Sequence, residues 1–311
     1  MLLDRLLTAL EVSVDAFAIC DVRAGWRIEM PPVGSVGLHY VLRGEGALIV
    51  DGRRVGFGER SVIVVPPGSP HRIEPADGLR TLFDVGVACR RPTPGVSEFV
   101  AGEGEAVLLL ACGNVQAIYA GGVNLFGHLR APLVVRFGPE DGAVASAFTG
   151  LLEEQARPGP GSDAMMSAYM TQGLIALVRR VARDSERARG QTEETSLSWL
   201  AALDDPRLAR ALAAMLDAPA EHHTLESLAK VAGMSRSSFS EHFSSTFGVS
   251  AMELLRETRL RRAAQLLRTS DRPIKTIAAE VGFSSRSHFS RAFKSFIGTE
   301  PAQYRASPRP T

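Results

Sequence analysis

The chain has 311 residues, 45% hydrophobic and 22% charged, a length that accommodates two domains and a composition ordinary for a globular protein. No apolar run approaches the roughly 18 residues that span a bilayer, and acids interrupt the apolar N-terminus MLLDRLLTALEVSVDAF. The sequence therefore predicts a cytoplasmic protein with no signal peptide and no membrane partner. The net charge of +1 hides an asymmetry: residues 205–311 carry 16 Lys plus Arg against 10 Asp plus Glu, while the remainder carries 19 against 24. A basic excess confined to one segment suits contact with an anionic polymer.

From Cys20 to Ile73 short apolar runs alternate with glycine-rich turns (LHYVL, RGEG, ALIV, DGRR, VGFGERSVIVVPPGSPHRI), the pattern of short antiparallel strands. Leu108 to Phe137 adds further strand-like runs. After Ala143 the period becomes helical: AVASAFTGLLEEQA, a breaker at RPGPGS, then AMMSAYMTQGLIALVRRVAR. Its apolar stripe, Met166, Tyr169, Met170, Leu174, Leu177 and Val181, suits packing on the strands or on a second copy of the chain. A polar run, DSERARGQTEETS, reads as a linker. These textures give residues 1–142 as a strand domain, 143–183 as a helical connector with a dimerisation role, 184–204 as a linker and 205–307 as an all-helical domain.

Within the helical domain one pattern occurs twice. LESLAKVAGMSRSSFSEHFSSTFG, from Leu225 to Gly248, lies over IKTIAAEVGFSSRSHFSRAFKSFIG, from Ile274 to Gly298, with one single-residue insertion. Leu228 matches Ile277, Gly233 matches Gly282, Phe239 matches Phe289 and Phe243 matches Phe293. A short helix, a glycine turn and a second helix with a polar outer face form the unit that presents a reading helix to DNA. Asp205, Thr224, Ser235 and Ser285 stand where helix caps belong, Pro206 suits a first turn, and Ser227 takes the capping-box position opposite Thr224. Phe239 and Phe243 hold the first reader down and leave Arg236, Ser237, Ser238, Glu241 and His242 outward. In the second, Phe289, Phe293 and Phe296 point inward and leave Ser285, Arg286, Ser287, His288, Ser290, Arg291 and Lys294. Arginine bonds guanine in bidentate fashion and Ser and His donate to base edges, whereas Arg291 and Lys294 suit phosphates. VSAMELLRETRLRRAAQLLRTSD joins the copies as one long helix, with Leu254, Leu255, Leu260, Ala264 and Leu267 inward and Arg256, Arg259, Arg261 and Arg262 outward. Readers in successive major grooves would sit about 34 Å apart.

Leu208 to Arg305 resembles the DNA-binding domain of the AraC/XylS family of bacterial transcription regulators. The match is carried above all by IAAEVGFSSRSHFSRAFKSFIGTEPAQYR, in which Ile277, Ala278, Gly282, Phe283, Ser287, Phe289, Arg291, Phe293, Lys294, Gly298, Pro301, Tyr304 and Arg305 hold the family's positions. The resemblance implies seven helices, two DNA readers, double-stranded promoter DNA as partner, a homodimer, and RNA polymerase as a partner if the outcome is activation. His39 to His71, with Phe57-Gly58-Glu59, Pro66 and Gly68, resembles a cupin, the ligand domain that precedes many such regulators. The expected fold is an N-terminal all-β cupin-like barrel with a helical extension, followed by an all-α domain with two helix-turn-helix motifs.

A cupin enzyme holds its metal with several histidines and a carboxylate. Here Val41 stands where a second histidine is expected two residues after His39, Glu45 lies in a glycine-rich turn, and only His39 and His71 remain as weak metal candidates. The reading is accordingly a regulator, not an enzyme, with no cofactor and no catalytic residue; the alternative is a metal-dependent cupin enzyme fused to a DNA-binding module. A barrel cavity encloses a small-molecule effector through a few polar anchors, for which Trp26, His39, Tyr40, Arg43 and His71 are the candidates. The cysteines offer a second signal: Cys20 and Cys112 meet if their segments pair, with Cys89 as a further partner, and in a reducing compartment such a disulfide is a switch for oxidants.

Overall fold

The structure, a computed structural model, describes residues 4, 7–8, 10–15, 17–76, 81–84, 90–93, 96–119, 123–126, 129, 131–187, 205–247 and 249–306. Cys89, Gly248 and residues 188–204 of the expected linker lie outside the described residues. Two compact units are present: residues 12–117 with 125–197, and residues 198–311 with 1–11 and 118–124.

The first unit is built on two sheets. One has the strand order β10 (Arg90–Thr93), β11 (Val96–Ala101), β2 (Ala18–Arg23), β12 (Ala106–Tyr119), β4 (Val36–Arg43), β7 (Ser61–Val65), β14 (Leu133–Arg136). The other runs β6 (Arg53–Phe57), β5 (Gly46–Val50), β8 (His71–Pro75), β3 (Trp26–Met30), β9 (Thr81–Asp84). Pairing is antiparallel except for β11 with β2 and β3 with β9. β1 (Leu10–Val14) and β13 (Val123–Asn124) pair with β12. The alternation seen in the sequence sorts side chains between the faces. Val22, Ile28, Val41, Leu48, Val50, Ile63, Val65, Ile73, Leu108 and Leu110 fill the space between the sheets. The DGRR turn joins β5 to β6 with Asp51 at φ 49° and Gly52 at φ 76°, the left-handed pair that matches strand twist in a two-residue hairpin.

β4 is buried on both faces from Val36 to Val41, hence its nearly unbroken apolar run. Its outer face is covered by α1 (Gly142–Ala156): Tyr40 stacks on Phe148 with ring centroids 4.4 Å apart, and Phe17 meets the same ring edge-on. Gln155 fixes this layer by accepting from the Phe17 amide at 2.7 Å and donating to its carbonyl. α2 (Ser162–Arg187) packs on α1 and buries Met170, Leu174, Leu177 and Val181, so most of the stripe that suited a second copy is used inside this unit. The helix also continues past the expected linker boundary at residue 184. Arg180 steadies that last stretch, bonding Asp184 at 2.9 Å one turn on and Asp141 at 3.0 Å.

The described residues of 205–306 form seven helices: α3 (Pro206–Asp217), α4 (Leu225–Ala232), α5 (Arg236–Phe247), α6 (Ala251–Thr269), α7 (Ile274–Glu280), α8 (Arg286–Ile297) and α9 (Pro301–Ala306). Asp205 caps α3 through the Arg207 amide, and the Arg207 side chain holds its carboxyl down at a pKa of about 2. Thr224 and Ser227 form the reciprocal capping box on α4. Phe239, Phe243 and Phe247 pack ring against tilted ring along the inner face of α5, and Phe289, Phe293 and Tyr304 meet in tilted and edge-to-face contacts below α8. Each buried phenylalanine contributes roughly 1.5–3 kcal/mol.

α6 buries Leu254, Leu255, Leu260, Ala264 and Leu267 between the two repeats, as expected. Two of its arginines do not face outward. Arg259 donates to the Pro219 and Glu221 carbonyls at 2.6 and 2.7 Å, and Arg261 lies over the Phe296 ring, 4.9 Å from its centroid. A guanidinium on a long apolar stem covers a ring and satisfies loop carbonyls at once, a role that charge patterning does not distinguish from solvation.

Candidate functional site

Two sites emerge, one in each unit. On the helical unit, α4 ends at Gly233 in the left-handed region (φ 69°), and the chain re-enters helix at Arg236 with the Ser238 amide donating to Ser235 Oγ at 3.2 Å. The second repeat turns at Gly282 (φ 86°) and restarts at Arg286, the His288 amide donating to Ser285 Oγ at 3.4 Å. The outward faces of α5 and α8 follow from this geometry. Arg236, Ser237, Glu241 and His242 are exposed on α5, and Ser238 is half-buried. His242 uses its Nδ1–H to donate to the Ser238 carbonyl at 2.8 Å, which orients its ring along the helix. On α8, Arg286, Ser287, His288, Arg291 and Lys294 are exposed, as is Ser285 at the cap, and Ser290 is half-buried. The His288 ring edge rests near Phe283, with centroids 5.5 Å apart. Lys294 pairs with Glu300 at 3.1 Å, a surface contact worth under about 1 kcal/mol that a phosphate can replace.

The outward faces of α5 and α8 differ in charge. α5 carries one arginine and one glutamate, whereas α8 carries two arginines, a lysine and no acid.

The second site is a cavity of about 200 Å³ in the strand unit, lined by Cys20, Met30, His39, His71, Cys112 and Asn114 among others. Register explains the convergence. On β12, Cys112 lies directly opposite His39 of β4, and Cys20 of β2 lies one step along on the same face, opposite Leu110. His71 reaches in from the other sheet, flanked by Val50 and Met30. The two imidazoles meet at Nε2 to Nε2, 2.9 Å apart. His71 Nδ1–H donates to the Ser69 carbonyl at 3.2 Å, which leaves His71 Nε2 to accept from His39 Nε2–H. His39 Nδ1 is then buried without a partner. Gly37 keeps space beside the pair, since a Cβ there would lie 3.7 Å from His39 Nε2.

Burial drives the His39 pKa well below 6.5, and the neighbouring His71 charge lowers it further. His71 is lowered by burial as well, against the opposing Ser69 hydrogen bond. The unfolded chain therefore binds more protons than the folded chain at pH values below about 6.5, and stability falls as pH drops through that window. Urea midpoints of the strand unit are expected to decrease from pH 7.5 to pH 5, and His39→Gln to flatten the decline. Burial pushes the Cys112 thiol up, and the adjacent Cys20 adds to the rise, so Cys112 is a neutral thiol at neutral pH.

Of the five anchor candidates only His39 and His71 line this cavity. Tyr40 points to the opposite face of β4 and is used against Phe148; Arg43 is exposed and donates to the Ala106 carbonyl at 2.9 Å; half-buried Trp26 packs on the core edge beside Gly102. Met30 and Asn114 were not anticipated. Asn114 follows from Cys112 by the strand period of two once one of them is known to face inward. The donor set for a cupin metal does not fit: Val41 is apolar core, Glu45 is exposed, and among the described residues no three His, Cys, Asp or Glu side chains are placed to hold an ion.

Comparison with known proteins agrees with this layout. The cupin family matches residues 2–183 and the helix-turn-helix domain family residues 228–307. A putative AraC-like transcription regulator of Streptomyces antibioticus is 31% identical over 228 residues, covering 73% of this chain and 72% of its own. An uncharacterized HTH-type transcriptional regulator of Haemophilus influenzae is 27% identical over 318 residues, covering 98% of each chain. The solved structure of an AraC-type DNA-binding regulator from Chromobacterium violaceum, 30% identical with a TM-score of 0.32, covers 34% of this chain and 94% of its own. With a helix-turn-helix domain match behind a cupin match and relatives of the same kind along its length, the chain belongs to the AraC/XylS family of transcription regulators.

Proposed function

We propose that this regulator reads promoter DNA sequence-specifically through the outward side chains of α5 and α8, and that its cupin unit senses a small molecule or an oxidant. Residues 205–307 serve as the DNA-binding domain and 1–142 as the sensor, joined by the helical connector, which runs to Arg187, and the linker that follows it to residue 204. A homodimer binds paired sites with raised avidity, and RNA polymerase is the further partner where the outcome is activation. No residue is assigned to catalysis.

One observation supports the sensing role: Cys20 and Cys112 share a cavity with the His39–His71 pair. They sit diagonally on adjacent strands with their side chains in hydrogen-bonding contact, so the two sulfurs already face each other. Closing a disulfide replaces the thiol–thiol contact with a covalent link between β2 and β12. The two thiols lose two electrons and two protons, hypochlorous acid or a peroxide being the acceptor, and the new cross-link between β2 and β12 carries the signal. Wild-type protein treated with hypochlorite or peroxide should change its DNA affinity several-fold and recover with dithiothreitol, while Cys20→Ser should not respond. Equal indifference of both proteins to oxidant would remove the redox reading and leave a small-molecule effector.

The alternative, a metal-dependent cupin enzyme with a DNA-binding module, is distinguished by metal analysis of the purified chain. A stoichiometric ion would favour it.

A further inference from the structure

Overlaying the repeats on Phe239 with Phe289 and Phe243 with Phe293 places Glu241 of α5 on the position of Arg291 of α8. Both lie midway between two buried phenylalanines in sequence, hence about 160° around the helix axis from each. That is the outermost point of either reader. Both are exposed, and among the described residues neither has a hydrogen-bond or ion-pair partner. The same location on two like helices thus carries opposite charge.

A carboxylate at the tip of a DNA reader is costly on general grounds. Phosphates line the groove it must enter, and an ionised carboxylate can only accept hydrogen bonds. In the major groove guanine offers N7 and O6, and thymine offers O4, all acceptors. Amino donors come from cytosine N4, which carboxylates accept from, and from adenine N6, which sits beside an acceptor N7. Arg291 meets the reverse demand, its planar fork matching guanine N7 and O6.

We infer that Glu241 sets the base preference of the first reader by accepting from a cytosine amino group, so that the two readers select opposite members of a G·C pair at equivalent groove positions. This rests on the DNA-reading role assigned above to α5 and α8. It adds a division of labour between them. α8, with Arg286 and Lys294 beside Arg291, adds attraction to any duplex to its guanine preference, and α5, with no net charge on its helix, discriminates at the expense of general affinity. The carboxylate also rejects wrong sites, because on guanine or thymine it is left facing acceptors without a donor.

The test uses the full chain and a duplex library randomised over about 25 base pairs, sequenced after selection, with wild type, Glu241→Ala and Glu241→Arg compared. Glu241 is exposed and unpartnered, so both variants should keep the wild-type helical signal and melting point. Wild type should enrich cytosine at one position of one half-site by roughly 5- to 100-fold over other bases. Glu241→Ala should lose that enrichment at that position alone, and Glu241→Arg should move it to guanine. Should Glu241→Ala keep the same preferences while binding all duplexes more tightly, Glu241 is only a repulsive surface charge and the inference fails. If wild type enriches nothing at either half-site, the DNA-reading role itself fails instead.

Discussion

Phe289→Ala is expected to destabilise the helical unit by about 3–5 kcal/mol and to abolish DNA binding with the strand unit intact. The side chain is fully buried, with its ring 5.4 Å from that of Phe283 and 5.5 Å from that of Phe293, centroid to centroid. Truncation leaves a cavity between α8 and the turn that aims it, and a domain of this size has little surplus stability to absorb it. Arg291→Ala separates this effect from recognition: on the opposite face of the same helix, it should leave stability within about 0.5 kcal/mol of wild type yet weaken binding. Helical ellipticity followed through a urea titration, beside a DNA-binding isotherm, checks both. A Phe289→Ala protein with a wild-type midpoint would mean that α8 is not held by this core.

The second large effect is at Gly282. Its φ of 86° is left-handed, and a Cβ there would lie 2.7 Å from the Ala220 carbonyl oxygen and 3.0 Å from Ala220 Cα. Both atoms are backbone. The loop they belong to is held by Arg259 through the Pro219 and Glu221 carbonyls, so it has little freedom to retreat. Left-handed strain of about 1–2 kcal/mol and a displaced backbone together give an expected loss of roughly 2–4 kcal/mol for Gly282→Ala. Gly233, its counterpart in the first repeat, has φ 69° but meets only the far end of Arg210, at 3.9 Å. Gly233→Ala should therefore cost only the strain, about 1–2 kcal/mol. Melting curves of the two variants read the difference directly, and equal losses would show that the contact with residue 220 carries no weight.

Much of the helical unit was legible because its signals are local. Thr224 with Ser227, and Ser235 and Ser285, cap helices through atoms three residues apart, and the phenylalanine spacing marks the inner face without reference to the rest of the fold. Arg259 and Arg261 escaped that logic: their partners are a loop about 40 residues away and a ring on another helix, and outward and inward arginines look alike in sequence.

The strand unit was legible as strands and less so as a site. Tyr40 and His39 are adjacent, and only the sheet order, with α1 on one side and the second sheet on the other, decides which faces the cavity. The meeting of Cys20 with Cys112 hung on whether β2 and β12 are neighbours, a non-local pairing that no turn signal encodes. The stripe on α2 was visible, but its partner was not. It packs on α1 within the unit rather than standing free for another copy.

The central claim is that one chain reads duplex DNA with two helices held by α6. It is tested most directly by the sites that wild-type protein selects from a randomised duplex library. Two separate blocks of preferred bases are predicted, their centres about 10 base pairs apart, since each reader enters one of two successive major grooves. Moving the blocks about 5 base pairs further apart should cost most of the affinity, because α6 fixes their spacing. A single block, or affinity that ignores the spacing, would contradict the account.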